Sequence, residues 1–220
     1  MTAYRSVFQP GLFQGKVAIV TGGGSGIGRC TAHELAALGA EVAIVGRNVA
    51  KLARVRAEIE DAGGTCSTHA CDIREEDTVR TTVAAVLERH GRIDALVNNA
   101  GGQFPAPLAA ISAKGWDAVV RNNLTGGFLV ARECVTQWMA ANGGGAIVNV
   151  IADMWHGMPG MGHSGAARAG MLNFTETAAL EWAPVRLNAV APGWIASSGM
   201  DHYPPQMTER IRGLKKLVPL

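Results

Sequence analysis

After residue 15 the apolar positions follow two alternating rhythms. Short unbroken blocks at 17–20, 41–45, 95–97, 146–150 and 185–190 have the length and β-branched content of buried strands. A sixth, more polar block ends near Ala70. Between the blocks, apolar positions recur every three to four residues at 27–38, 51–62, 75–90, 111–141 and 166–182. That period predicts helices. The 111–141 stretch is long, and Gly126-Gly127 within it is a candidate interruption. Residues 1–15 show neither rhythm and carry Pro10-Gly11, so they read as an N-terminal arm. Strands alternating with helices across short glycine turns predict an α/β domain, a doubly wound parallel sheet covered on both faces. Right-handed crossovers then bring every strand's C-terminal end to one rim. Ligands of such sheets bind along that rim.

Composition narrows the picture without changing it. The length of 220 residues suits one domain with an ample core. A net charge of +2 gives no basic face for a nucleic acid. Charges and glycines break every apolar helical run, which excludes a membrane span. Arg5 is not followed by a continuous apolar stretch before Gly11, so no secretory leader is expected. Cys30, Cys66, Cys71 and Cys134 have no metal-ligand spacing, and no metal site is expected. They read as free thiols of a cytoplasmic protein. Tyrosine is scarce: Tyr4 and Tyr203 are the only two.

The chemistry begins at Gly22-x-x-x-Gly26-x-Gly28, directly after the first strand and at the start of the first helix. Glycines there let backbone N–H groups approach a pyrophosphate, and the helix N-terminus favours its charge. The full string Thr21-Gly-Gly-Gly-Ser-Gly-Ile-Gly28 is followed, at suitable spacing, by Asn98-Asn-Ala-Gly101 and Pro192-Gly-Trp-Ile195. Together these resemble the short-chain dehydrogenase/reductase superfamily over nearly the whole chain. The resemblance implies a Rossmann-type fold and a nicotinamide cofactor. It implies cofactor contacts from Gly22, Ser25, Gly26, Ile27 and Gly28, from Asp72 and Ile73 at the adenine, from Asn99, Ala100 and Gly101, and from Pro192, Gly193 and Ile195 beside the nicotinamide. The second strand ends Val45-Gly46-Arg47-Asn48, without the carboxylate that would hold ribose hydroxyls and repel a 2′-phosphate. Arg47 can hold that phosphate, so NADP(H) is the expected cofactor.

The catalytic positions depart from the superfamily pattern of a serine followed by Tyr-x-x-x-Lys. The serine position is Ala152, the lysine position Arg168, and counting back from it puts Ser164 at the tyrosine. The strings His163-Ser-Gly-Ala-Ala-Arg-Ala-Gly170, Gly101-Gly-Gln-Phe104, Lys114-Gly-Trp116 and Asn123-Leu-Thr-Gly126 most resemble the peroxisomal trans-2-enoyl-CoA reductase branch and its 2,4-dienoyl-CoA reductase relatives. Those enzymes send hydride to a double bond conjugated with a thioester. Negative charge then develops on the thioester oxygen, which calls for aimed donors rather than an alcohol-forming tyrosine. Asn123 and Ser164 are the candidate donors, with Arg168 on the nicotinamide ribose. Asp153 is the candidate proton donor, a role that requires burial. His163 and Tyr203 are further candidates. Enoyl-CoA reductases carry a tyrosine four residues after the arginine, where this chain has Leu172.

Met158, Met161, Met171, Trp155 and Trp194 suit either an apolar substrate pocket or ordinary core. A substrate lid is expected at about 194–215. The superfamily also implies a further helix and final strand after the lid, and about two more residues near Pro184. Three functions stay open: an NADPH-dependent reductase of an enoyl-CoA-type thioester, a dehydrogenase of an apolar, terpenoid-like alcohol or carbonyl, and a non-catalytic NADP-binding subunit or sensor. The long helices correspond to the superfamily's dimer-forming pair, so a homotetramer is expected.

Overall fold

The computed structural model describes residues 6–195 and Gly213. Its strands are β1 (Val17–Thr21), β2 (Glu41–Gly46), β3 (Thr65–Ala70), β4 (Ala95–Asn98), β5 (Ala146–Val150) and β6 (Arg186–Val190). They form one parallel sheet in the order β3-β2-β1-β4-β5-β6. The helices are α1 (Gly26–Ala37), α2 (Val49–Asp61), α3 (Glu76–His90), α4 (Ala113–Val120), α5 (Gly126–Cys134) and α6 (Gly162–Glu181). The doubly wound α/β architecture matches the expectation from the sequence.

Two separate cores explain why β1 and β2 are apolar without alternation. Val20, Val42 and Ile44 pack under α1 and α2 with Ala32, Leu52, Val55 and Ile59. On the other face Val17, Ile19 and Val45 meet Val79, Val83 and Val86 of α3 and Leu129 and Val130 of α5. Residues 17–21 and 42–45 are therefore dry whichever way they point. Phe13 packs against the first of these cores, and its N–H donates to the Leu38 carbonyl at 2.9 Å. The described part of the N-terminal arm is thus seated on the domain.

Two elements differ from their predicted form. The helical run after residue 111 does not break at Gly126-Gly127. It widens to a π-helical turn at Arg121–Thr125 and again at Val135–Met139, on either side of α5. The two glycines serve close packing instead: a Cβ on Gly126 would meet Ile73 at 2.7 Å, and one on Gly127 would meet the Met171 methyl at 2.5 Å. Helix α6 starts at Gly162, four residues before the predicted position 166. The glycines of that string read as loop, yet His163 and Ser164 are buried at 0% and 1% exposure and hold the first turn inside the fold. The short link near Pro184 is spanned by a turn in which the Val185 N–H donates to Trp182 O at 2.8 Å. The expected helix and strand beyond the lid, and the lid beyond Ile195, lie outside the described residues.

Candidate active site

The glycine turn and the start of β4's exit loop interlock at the centre of the rim. The Gly22 N–H donates to Val45 O at 2.7 Å, and Gly22 has φ of 67°, which admits glycine without strain. Thr21 Oγ accepts from the N–H groups of Asn99 and Ala100, each at 3.0 Å. The Asn99 amide reaches back to Thr21 O at 2.9 Å. A Cβ on Gly28 would collide with that amide and come within 2.5 Å of Gly22 O. Ser25 precedes α1 but makes no side-chain cap, so the first N–H groups of the helix face outward without a side-chain partner from it. Such a cradle fits a pyrophosphate. Ser25 and Ile27 line it half-buried, as Gly26 does.

Beside the cradle, Arg47 projects from the end of β2 and is exposed. Asn48 is occupied as the cap of α2, accepting from the Lys51 N–H at 2.9 Å. Asp72 accepts two hydrogen bonds from the Arg74 guanidinium, and with Arg47 adding its charge the carboxyl is held down to about 2. This end of the rim therefore carries two arginines and one carboxylate. Arg74 is absent from the sequence-based set, although its position two residues after Asp72 was a usable signal. Ile73 sends its side chain into the core against Gly126, which leaves only its backbone to face a ligand.

The other end of the rim is built from buried side chains. Asn98 and Asn149 stand side by side on β4 and β5. Asn98 Nδ2 donates to Asn149 Oδ1 at 3.0 Å and to Gly127 O at 2.9 Å. Asn149 Nδ2 donates to Thr175 Oγ1 at 2.8 Å, and that hydroxyl donates to Met171 O. This chain of bonds ties two strands to α5 and α6. Sequence reasoning missed Asn149 and Thr175. The signal was a lone amide inside the apolar run of β5, which had to find partners.

Asn123 sits in the first π-helical turn, a distortion often found at functional sites. Its amide forms a reciprocal pair with Gly102, donating to the carbonyl and accepting from the N–H at 2.9 Å each. Arg168 donates to Asn123 Oδ1 at 3.2 Å and to Val150 O at 2.8 Å. Asn123 is thus a strut between the Gly102 loop and Arg168 rather than the free donor expected. The Arg168 guanidinium presses on Gly101, where any Cβ would collide with it. Burial pulls the Arg168 pKa down to about 10, and among the described residues no carboxylate opposes the shift. A buried cation held only by carbonyl oxygens is suited to ligand hydroxyls or an anion. Ser164 lies one turn earlier on α6. It is not a cap; Met161 precedes the helix, and the Ser164 N–H donates to Met161 O at 3.0 Å.

Asp153 is exposed, and none of the described residues encloses it as a proton donor requires. Its N–H donates to Pro192 O at 3.3 Å, which brings the loops after β5 and β6 together. Pro192 is half-buried, and Gly193 and Ile195 are exposed along that edge. The apolar residues divide: Met161 and Met171 belong to the core, whereas Trp155 and Trp194 lie exposed at the rim. Tyr203 falls outside the described residues. Among the described residues no His, Cys, Asp and Glu cluster could hold a metal ion, and no helix is long and apolar enough to cross a membrane.

Known proteins share this arrangement. Residues 16–208 match the family model for short chain dehydrogenases. The solved structure of a citronellol catabolism dehydrogenase (AtuB) from Pseudomonas aeruginosa PAO1 is 65% identical, with a TM-score of 0.85 over 88% of this chain and 80% of that one. A Bacillus subtilis (strain 168) protein described as "Probable 2,4-dienoyl-CoA reductase" is 36% identical over 84% of this chain and 74% of its own length. A 3-oxoacyl-[acyl-carrier-protein] reductase (FabG) from Thermotoga maritima is 35% identical over 89% of this chain and 80% of its own. The named substrates of these relatives differ, but all are oxidoreductases by name. With its dinucleotide cradle and its match over most of the sequence, the chain belongs to the short-chain dehydrogenase family.

Proposed function

We propose that this chain is an NADP(H)-dependent reductase acting on the double bond of an apolar enoyl-CoA-type thioester. The observation that carries the reading is the pair Ser164 and Arg168 on the first turns of α6, with no tyrosine anywhere between Tyr4 and Tyr203. The usual Tyr-x-x-x-Lys pair is then replaced by a hydroxyl and a guanidinium. These can donate hydrogen bonds but do not serve as ready proton donors near neutral pH. Reduction of a conjugated double bond needs that kind of support, because charge gathers on the thioester oxygen. Bound NADPH would supply the hydride. Arg47 would hold its 2′-phosphate, the glycine turn its pyrophosphate and Arg168 its nicotinamide ribose. Asn123 would fix Arg168 and the Gly102 loop, and Ser164 would donate to the substrate oxygen. Exposed Phe104, Leu108 and Trp155 along the rim suit an apolar acyl chain.

A second reading is a dehydrogenase of an apolar terpenoid alcohol or carbonyl. It is favoured by the 65% identity to the citronellol catabolism dehydrogenase. A subunit that binds NADP without turnover is the third. NADPH oxidation with a medium-chain trans-2-enoyl-CoA and a 2,4-dienoyl-CoA, run beside citronellal and a matching ketone, separates them. Turnover on the thioesters alone supports the first reading. Turnover on the carbonyls alone replaces it with the second, and silence on all with NADPH bound leaves the third. We also place the protein in the cytoplasm as a homotetramer. On α6 the outward positions Ala166, Ala169 and Asn173 are exposed and small enough for close helix pairing. A monomer by light scattering at micromolar concentration would remove that assembly.

A further inference from the structure

His163 is fully buried, and its Nε2 has no hydrogen-bond partner among the described residues. Its other ring nitrogen has a partner: Nδ1 accepts from the Ser164 N–H at 3.0 Å, a donor it shares with Met161 O. An acceptor at Nδ1 fixes the tautomer, so Nε2 carries the proton and is a donor. A buried donor without an acceptor is costly, and natural folds rarely keep one without a use. The group over it is Phe104, whose ring meets the imidazole at 4.6 Å with an interplanar angle of 82°. An aromatic ring is at best a weak acceptor.

Phe104 lies in the link between β4 and α4, which passes over the start of α6. The Ala106 N–H donates to Gly160 O at 2.8 Å, and Leu108 rests on Gly162. Phe104 itself is 41% exposed and presses its outer edge on Gly115. A thin apolar cover thus separates the rim from an unpaired donor that adjoins Ser164 in sequence.

We infer that His163 Nε2–H is a substrate contact: an apolar substrate displaces Phe104, and its carbonyl or thioester oxygen accepts the hydrogen bond that Nε2 lacks in the free protein. His163 then shares with Ser164 the developing negative charge on that oxygen. No proton leaves the ring in this role. The inference rests on the reductase reading only in needing an oxygen that gains negative charge as hydride arrives, which an enoyl thioester and a carbonyl both have.

His163→Leu and His163→Gln test it. Leucine removes the donor, while glutamine can return an N–H near the same place. On whichever substrate turns over, His163→Leu lowers kcat/KM by about 100-fold, as loss of one aimed donor does. The fall is mainly in kcat, NADPH affinity is unchanged, and His163→Gln recovers most of the loss with the wild-type pH profile. The melting temperature of His163→Leu stays at or above wild type, because an unsatisfied buried donor is gone. Unchanged kcat/KM in His163→Leu overturns the inference. So does a lowered melting temperature that His163→Gln restores, since the nitrogen would then serve the fold. A pH limb lost in His163→Gln would replace the hydrogen-bond role with proton transfer. If none of the enoyl-CoA or carbonyl substrates turns over, the proposed function fails separately, and a melting temperature lowered in His163→Leu and restored in His163→Gln still overturns the inference about His163.

Discussion

In the β3-β2-β1 half of the molecule the rim is made of backbone and exposed charge: an uncapped helix start, a glycine with φ of 67°, and Arg47 and Arg74 around Asp72. In the β4-β5-β6 half it is made of buried side chains: Asn98, Asn149 and Thr175 in one network, Asn123 with Arg168 in another, and His163 alone. The first half offers the same features to any dinucleotide, since backbone N–H groups and surface arginines read phosphate and little else. The second half is where substrate and reaction can be specified, because each buried polar group must be matched by a particular partner. The difference teaches where relatives with one cofactor site can diverge in chemistry.

The comparison breaks first at Gly28. Gly28→Val should abolish dinucleotide binding, by at least about 100-fold, and destabilise the fold by about 1–3 kcal/mol through overpacking against Gly22 O. Fluorescence titration with NADPH and a thermal melt measure both. Normal binding by a folded variant would mean that the cradle is not the phosphate site.

Arg168→Met tests the opposite half. Activity should fall by about 100-fold. Stability should hold within about 1 kcal/mol or rise, because a buried charge without a carboxylate partner is removed. A large loss of stability in urea would make Arg168 a structural pillar instead of a group held ready for a ligand.

A smaller effect is expected at Arg47. Arg47→Asp should move the ratio of NADPH to NADH affinity by about 10- to 100-fold toward NADH, since a carboxylate repels the 2′-phosphate and accepts from ribose hydroxyls. An unchanged ratio would shift the phosphate contact to Arg74 or end the NADP assignment.

The smallest effect is a matter of pH. The Arg74 hydrogen bonds lower the Asp72 carboxyl in the folded chain to about 2, below its value in an unfolded one. Its contribution to stability is therefore present above the unfolded value of about 4 and is lost as pH falls from there through about 2. Asp72→Asn should flatten that part of the acid-unfolding curve while leaving neutral-pH stability slightly reduced. An unaltered curve would show that the pair with Arg74 is not maintained in solution.

Reading the residues in order recovers the first half better than the second for a physical reason. Gly22, Gly26, Gly28 and Arg47 act where they stand in the chain, within one strand-to-helix turn or at one strand end, so local spacing exposes them. Asn123 and Arg168 are 45 residues apart and meet only because the π-helical turn before α5 packs against α6. The same holds for Asn98 with Asn149, brought together by strand pairing. Local pattern also misjudged the start of α6, since glycines at 160, 162 and 165 suggest loop while the burial of His163 and Ser164 enforces helix. Asp153 could be named from its place after β5, but its exposure among the described residues is a property of packing that no local pattern carries.

The sequence by itself determined the α/β alternation, the glycine turn after β1, the lack of tyrosine between Tyr4 and Tyr203 and the strand-end arginine, all of which follow from short-range period, backbone freedom and residue identity. Only the tertiary structure decided that Asn123 is a strut, and that among the described residues Arg168 is a buried cation without a carboxylate and His163 keeps an unpaired ring nitrogen under Phe104. Those are properties of burial and of partners far away in the chain, and burial is a consequence of packing that no local pattern carries.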